Sequence, residues 1–418
     1  MPTKIKARPD AQGKPRYRAL YLTPDGRWLT EGTYGDRKTA QKAATLAEGR
    51  AGSQQWLDPR RGKITFASFV ERVYAPTMGT LEASTRRGYE SLIRSHLLPQ
   101  WGSCPIGSIL PSQVSRWVAD PNPPRLFPKA RPDLASLPRS PQRTHDAFAL
   151  FSKIMSLAVS DGVRPSNPCT GLKTPTQPRP RVEIITPEEF DLLLEAVLVH
   201  RADGSITEVS LRNQMILLVA TLTGLRWSEL MALAPEQIDF LRHRITVDRA
   251  VVSVGTAHSG NDTPWISKPY PKGKKERQVP LDADAAEALS RAIASRRLAP
   301  DGAEPIFRTR TGAPISSTHF NEDVLKPALK RIGLQGRKIT VKTLRASFCS
   351  WMLAGHAPLP DVQAFMGHQQ LTTTQKYVQI LPGAYDEALK ALGAIRHRSQ
   401  GAATQALLMD ANKGLLVV

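Results

Sequence analysis

The chain has 418 residues, 41% hydrophobic and 22% charged, and its 57 Lys/Arg against 37 Asp/Glu give a formal charge of +20. At ~100–200 residues per domain this length predicts two to four domains, and the charge argues for a polyanionic partner, most often nucleic acid. Cys104, Cys169 and Cys349 are too widely spaced for a C-x-x-C motif or a disulfide framework. No apolar run reaches the ~18 residues of a membrane span, and the start MPTKIKARPD lacks the apolar core of a signal peptide, so a soluble cytoplasmic chain with no membrane partner is expected.

The first 63 residues hold fourteen Lys/Arg and six Asp/Glu. Arg16–Leu22 reads as a strand, Pro24-Asp25-Gly26 as a turn and Arg27–Glu31 as the returning strand, after which Asp36 caps a helix over Lys38–Gly49. Basic residues on such a sheet, Arg16, Arg18 and Arg27 among them, suit contact with duplex DNA. From residue 64 to 171 the apolar spacing turns helical, with helices beginning near Phe66, Thr85, Pro111 and Arg143. Asp120–Pro141 contains seven prolines and reads as a surface loop. Lys173–Arg181 is a basic, Pro-rich stretch within a linker assigned to residues 172–183, with Lys173 a further candidate for phosphate contact. Thr186-Pro187-Glu188-Glu189 then opens a new domain: a Thr cap, Pro in the first turn and a Glu to complete a capping box.

The residues that carry chemistry follow. Thr223-Gly224 ends an apolar helix, and Leu225-Arg226-Trp227-Ser228-Glu229-Leu230 starts the next, where an arginine beside free N–H groups suits a phosphate. Arg244–Asp248 and Arg277–Leu281 read as a strand pair. Lys268-Pro269-Tyr270-Pro271-Lys272-Gly273-Lys274-Lys275, just before the second, reads as a basic hairpin tip able to bring an ammonium to a phosphodiester. Lys342 and Arg345 lie at another helix start, then come Gly367-His368 and Tyr377.

The ordered set Thr-Gly-Leu-Arg-x-x-Glu-Leu, a lysine before Val-Pro-Leu, Leu-Arg-x-Ser-Phe, Gly-His and a late Tyr resembles the tyrosine recombinases, most closely phage-type integrases of actinobacteria. The separations of 23 from Arg345 to His368 and 9 from His368 to Tyr377 match that family's spacing, and the resemblance spans roughly residues 1–395. It implies a mainly α fold with small β elements in three domains. These are a sheet-plus-helix arm-site DNA-binding domain (1–63), a helical core-binding, SAM-like domain (64–171) and a mixed α/β catalytic domain (184–396), followed by a tail (397–418). It also implies site-specific DNA recombination through a covalent 3′-phosphotyrosyl intermediate. Tyr377 is then the nucleophile, Arg226, Arg345 and His368 hold the phosphate, and Glu229 orients Arg226. The lysine that protonates the leaving oxygen is Lys272, with Lys274 and Lys268 as rivals, and Lys274 and Lys275 are also candidates for DNA contact. Where the family usually has His, this chain has Lys342, an ammonium that donates hydrogen bonds and is a poor base. No cofactor or metal is expected: there is no G-x-x-x-x-G-K-[ST] loop and no carboxylate cluster. The implied partners are double-stranded attachment sites, three further copies of the chain on DNA, an excisionase and a host DNA-bending protein, in the bacterial nucleoid. The apolar spacing within Ala384–Ile395 suits docking on a neighbouring copy. DNA relaxation by a type IB topoisomerase mechanism and non-catalytic regulation are the alternative functions.

Overall fold

The computed structural model describes residues 2–52, 58, 60–126, 137–176, 183–273, 275–370, 372, 374 and 375. The chain divides into two compact units, residues 1–179 and 180–418.

The first unit opens with an antiparallel sheet of β1 (Thr3–Pro9), β2 (Pro15–Leu22) and β3 (Trp28–Tyr34), in that order. Strand alternation sends Tyr17, Ala19 and Tyr21 to the face covered by the helix Arg37–Ala51. That helix presents Ala40, Ala44, Ala47 and Ala51, all buried, and such small side chains let it seat close to the sheet. Asp36 caps it, accepting a hydrogen bond from Thr39 N at 2.8 Å. The opposite sheet face carries Lys4, Lys6, Arg8, Arg16 and Arg18, all exposed, and the register sets Lys6 against Arg18 and Arg8 against Arg16. β1 is the strand that the sequence does not announce: its Lys4-Ile5-Lys6-Ala7-Arg8 has strand alternation but little apolar content.

Next comes a helical core. Helices Ala83–Leu92, Pro111–Ala119 and Pro141–Ser160 surround Trp101, whose ring stacks on Phe151 at 5.3 Å and meets Trp117 edge-on at 5.8 Å. Rings packed in this way contribute beyond their buried area. The predicted second helix ends in a π turn, Ile93–Leu97. Residues 120–126 and 137–140 of the Pro-rich segment are irregular, as expected of a loop, as are 173–176 of the linker, where Lys173 is exposed. Pro141 already opens the next helix, and residues 127–136 and 177–182 lie outside the described residues.

The second unit starts at the predicted capping box. Thr186 Oγ1 accepts from Glu189 N at 3.2 Å, and the Glu189 carboxylate accepts from Thr186 N at 3.0 Å. Its core gathers Phe190, Leu193, Ile216, Leu217, Leu230, Val279, Leu289, Phe307 and Leu344. At the centre the helix Glu208–Thr223 packs against helices Ala283–Ser295 and Val341–Ala354. A sheet of β4 (Ile238–Asp239), β5 (Arg244–Val247) and β8 (Arg277–Pro280) lies beside them, with β5 and β8 antiparallel as the sequence predicts. The predicted basic hairpin tip is different. Two more strands, β6 (Ala250–Ser253) and β7 (Trp265–Lys268), pair only with each other, so the turn of that ribbon lies at Val254–Pro264. Lys268 instead closes β7, and the described residues 269–273 and 275–276 lie in the connection from the ribbon back to the three-stranded sheet. Pro269 and Pro271 have no N–H to give a ladder, and β6 and β7 pair with each other. Among the described residues no helix is long and apolar enough to cross a membrane.

Candidate active site

Two glycines set the site's geometry. Gly224 ends the Glu208–Thr223 helix at φ +59°, where a Cβ would also lie 2.3 Å from Phe348 Cδ1. The turn it permits makes Arg226 the cap residue of the short helix Trp227–Leu230. Gly367, also at φ +59°, ends the helix Leu359–Met366, and a Cβ there would press on Arg277 Cδ at 3.0 Å. The left-handed turn delivers His368 to the same place.

The last carbonyls of a helix have no partner within it. Here three successive ones are each taken by an arginine from a different element. Phe365 O accepts from Arg277 Nε at 2.8 Å, Gly367 O accepts from Arg226 Nη2 at 2.8 Å, and Met366 O accepts from Arg345 Nη2. Arg345, on the helix Val341–Ala354, also donates to Gly224 O, so it ties the two glycine turns together. A helix C-terminus is the electronegative end, which favours these cations.

Glu229 organises the guanidinium groups. Its carboxylate accepts from Arg226 N and Arg226 Nη1, both at 2.8 Å, and from Arg277 Nη1 at 3.0 Å and Nη2 at 2.6 Å. The Glu229 side chain is 1% exposed and that of Arg277 8%, while Arg226 keeps 20%. Burial by itself would raise the Glu229 carboxyl, but the Arg277 hydrogen bonds and the charges of Arg277 and Arg226 outweigh it and hold the group below the ordinary range. Three guanidinium groups against one carboxylate leave a cationic surplus suited to a phosphate.

His368 Nε2 lies 3.4 Å from Arg345 Nη2, and Nδ1 lies 2.9 Å from Thr374 Oγ1. Burial, followed by the charges of Arg345, Arg226 and Arg277, pushes its pKa down to about 4, so the ring is neutral at pH 7. Beside it opens a cavity of about 610 Å³ whose lining includes Lys272, Gly273, Lys275, Arg277, Gly367 and His368.

The structure therefore brings Arg226, Glu229, Arg345 and His368 into one cluster, with exposed Lys272 and Lys275 on the adjoining cavity. Lys342 is exposed one turn before Arg345 on the same helix, and Lys268 is half-buried at the end of β7. In the first unit Arg16 and Arg18 are exposed on the open sheet face, whereas Arg27 Nε donates to Asp25 at 2.6 Å within its own turn. Lys274, Tyr377, the Ala384–Ile395 segment and residues 397–418 lie outside the described residues. Two participants escaped sequence reading: Arg277, identifiable only as a charge sharing a strand face with buried Val279, and Thr374, one of three successive threonines. Among the described residues no three His, Cys, Asp or Glu side chains group as a metal site.

Residues 183–383 match the Phage integrase family model, and residues 65–120 match the phage integrase N-terminal SAM-like domain. Tyrosine recombinase XerC of Yersinia pestis is 30% identical over 245 residues, covering 58% of this chain and 71% of that protein. The XerC of a Neisseria meningitidis serogroup C strain is 28% identical over 316 residues, covering 73% and 88%. Among solved structures, the Tn1549 transposon integrase in complex with a circular intermediate DNA has a TM-score of 0.59 at 20% identity, covering 79% of this chain and 99% of that one. A lambda integrase tetramer bound to a Holliday junction has 0.52 at 15%, covering 88% and 96%. At those identities the structural likeness speaks for the fold. Fold and sequence relatives together define an enzyme that cleaves and rejoins DNA. The chain belongs to the phage integrase family of tyrosine recombinases, and its activity is site-specific DNA recombination, which disfavours the relaxation and regulator alternatives.

Proposed function

We propose that this recombinase integrates and excises a mobile element or phage genome, using Tyr377 as nucleophile against a phosphate held by Arg226, Arg345 and His368. The observation that carries the reading is the convergence of three arginines on the carbonyls of Phe365, Met366 and Gly367, next to His368. Donors fixed before substrate arrives need no reorganisation when negative charge builds on the phosphate. In the reaction the Tyr377 hydroxyl gives its proton to solvent as its oxygen bonds to phosphorus and the P–O5′ bond breaks, so the ester's energy is kept in the phosphotyrosyl link. The leaving 5′ oxygen takes a proton from Lys272, which lines the cavity beside His368; Lys268 and Lys274 are the rivals. Lys342, whose side chain offers hydrogen-bond donors and no acceptor, serves as a donor to DNA.

Residues 1–63 act as the arm-site domain and 64–171 as the core-binding domain, joined by the 172–183 linker to the catalytic domain. Like charges opposite one another on β1 and β2 destabilise an isolated sheet, and a duplex backbone relieves that repulsion by replacing its counterions. The chain works as a homotetramer on attachment-site DNA in the nucleoid, with an excisionase and a host bending protein setting direction. The lambda integrase tetramer on a Holliday junction is a fold relative consistent with this assembly.

The test is a nicked duplex carrying the crossover site, mixed with wild-type chain or Tyr377→Phe. Wild type gives a denaturant-resistant protein–DNA band. Tyr377→Phe binds the duplex equally well and gives none; a trapped adduct in that variant overturns the nucleophile assignment.

A further inference from the structure

His368 has a partner on each ring nitrogen, and the two partners differ in kind. Arg345 Nη2, 3.4 Å from Nε2, belongs to a guanidinium, which has N–H donors and no acceptor. In this state Nε2 therefore presents its lone pair. The ring is neutral, so its proton sits on Nδ1 and is donated to Thr374 Oγ1, 2.9 Å away. A phosphate oxygen makes the opposite demand. It accepts only, so an imidazole that binds it through Nε2 must carry the proton there.

Thr374 can serve both states. A hydroxyl has one donor and two acceptor lone pairs and turns freely about its C–O bond. It accepts from Nδ1–H in one state and donates to bare Nδ1 in the other. A carboxylate in its place would accept only, lock the first tautomer and raise the ring's basicity. The Thr374 side chain is fully buried against the ring, while His368 itself lines the open cavity, where solvent reaches it. The main chain of His368 is independently anchored. His368 N donates to Gln363 O at 3.2 Å, and Gln363 Nε2 donates to His368 O at 3.0 Å. With the main chain held at both ends, the position of one proton is the variable left.

We infer that Thr374 is a positioning residue that holds His368 in its Nδ1–H form in the free enzyme and, by rotating its hydroxyl, lets the ring invert to Nε2–H when a phosphate oxygen replaces Arg345 at Nε2. Solvent takes the proton from Nδ1 and returns one to Nε2, so the ring's charge does not change and no co-reactant is needed. Arg345 keeps its hydrogen bonds to the carbonyls of Gly224 and Met366 and gives the phosphate the N–H that had faced Nε2. This inference rests on the reading that His368 faces the scissile phosphate.

The experiment follows the ring nitrogens by NMR in full-length chain labelled with ¹⁵N-histidine. Free wild type shows His368 protonated at Nδ1 and bare at Nε2. Tyr377→Phe bound to crossover-site duplex, in which the phosphodiester stays intact, shows the reverse. Thr374→Val keeps the side chain's shape and removes its hydroxyl. It cleaves about 10- to 100-fold more slowly at unchanged DNA affinity, the scale known for removing the hydrogen-bond partner of a metal-bound histidine. Thr374→Ser recovers the rate to within about 3-fold, because it restores the same donor and acceptor. An Nε2–H ring in the free wild type overturns the inference, as does a Thr374→Val variant that cleaves at the wild-type rate. Should Thr374→Val fail to fold, the wild-type and Tyr377→Phe spectra decide alone. Absence of any covalent adduct with wild type would sink the phosphate reading instead and leave the free-state tautomer standing.

Discussion

Arginine is used in two opposite ways in this chain. On the open face of the β1–β2–β3 sheet, Arg16 and Arg18 are exposed, face like charges and are set by strand register. In the second unit, Arg226, Arg277 and Arg345 are half-buried or buried, with donors fixed on one carboxylate and on the carbonyls of a helix end. The first arrangement suits binding, in which cations trade counterions for a polyanion and geometry is forgiving. The second suits chemistry, in which a donor displaced by a fraction of an ångström forfeits its advantage. Substitutions in the two regions should therefore fail differently.

The largest effect is expected from Arg345→Ala. Losing a preorganised donor at a developing charge costs about 10²- to 10³-fold in rate, so single-turnover cleavage should fall by at least that much while affinity for the duplex barely moves. Equal losses in both would place Arg345 with the binding arginines and erase the contrast. Glu229→Ala comes next. It strands Arg226 and Arg277 without their counter-charge, and breaking a buried pair in this way costs about 3 kcal/mol, readable as a lower urea midpoint for the second unit. An unchanged midpoint would mean that the helix-end carbonyls alone hold the arginines.

A smaller effect is expected from pH, and it touches both units. His368 and, in the helical part of the first unit, His96 each have a pKa held near 4, by burial first and neighbouring arginines second. In the unfolded chain each takes a proton below about pH 6.5. The unfolded state thus binds more protons between roughly pH 6.5 and 4, so stability is full above that window and drains as pH falls through it. His96→Gln should flatten the acid loss of the first unit and His368→Gln that of the second, measured as urea midpoints at pH 7.5 and 5. The smallest effect is expected from Arg16→Ala with Arg18→Ala: a salt-dependence slope shallower by about 0.9 for each phosphate that the sheet no longer neutralises, with crossover-site cleavage unaffected. A loss of cleavage would show that the sheet does more than tether.

Local signals are legible where the sequence itself supplies both partners. The Thr186–Glu189 capping box, the Asp36 cap, the helix stop at Gly224 and the β5–β8 pair all follow from neighbouring residues or simple periodicity. β1 and the β6–β7 ribbon are not, because short strands with charged or half-buried residues gain their stability from the strand beside them. The same blindness places Lys268–Lys275 at a hairpin tip, although Lys268 ends β7 and residues 269–273 lie in the connection between sheets. Arg226, Arg345 and His368 are legible as a spaced pattern, but Arg277 is not: its carboxylate partner lies 48 residues away and its carbonyl partner 88.

The amino-acid order by itself determined the family and the places where helices must begin or stop, because these depend on side-chain chemistry and on glycine's access to positive φ. Only the tertiary structure decided that three arginines share one helix end, that Glu229 is their buried counter-charge and that a threonine hydroxyl faces the histidine ring. Most of these hydrogen bonds join residues tens to more than a hundred positions apart and have no local signature; they exist only once packing has brought donor and acceptor within about 3 Å.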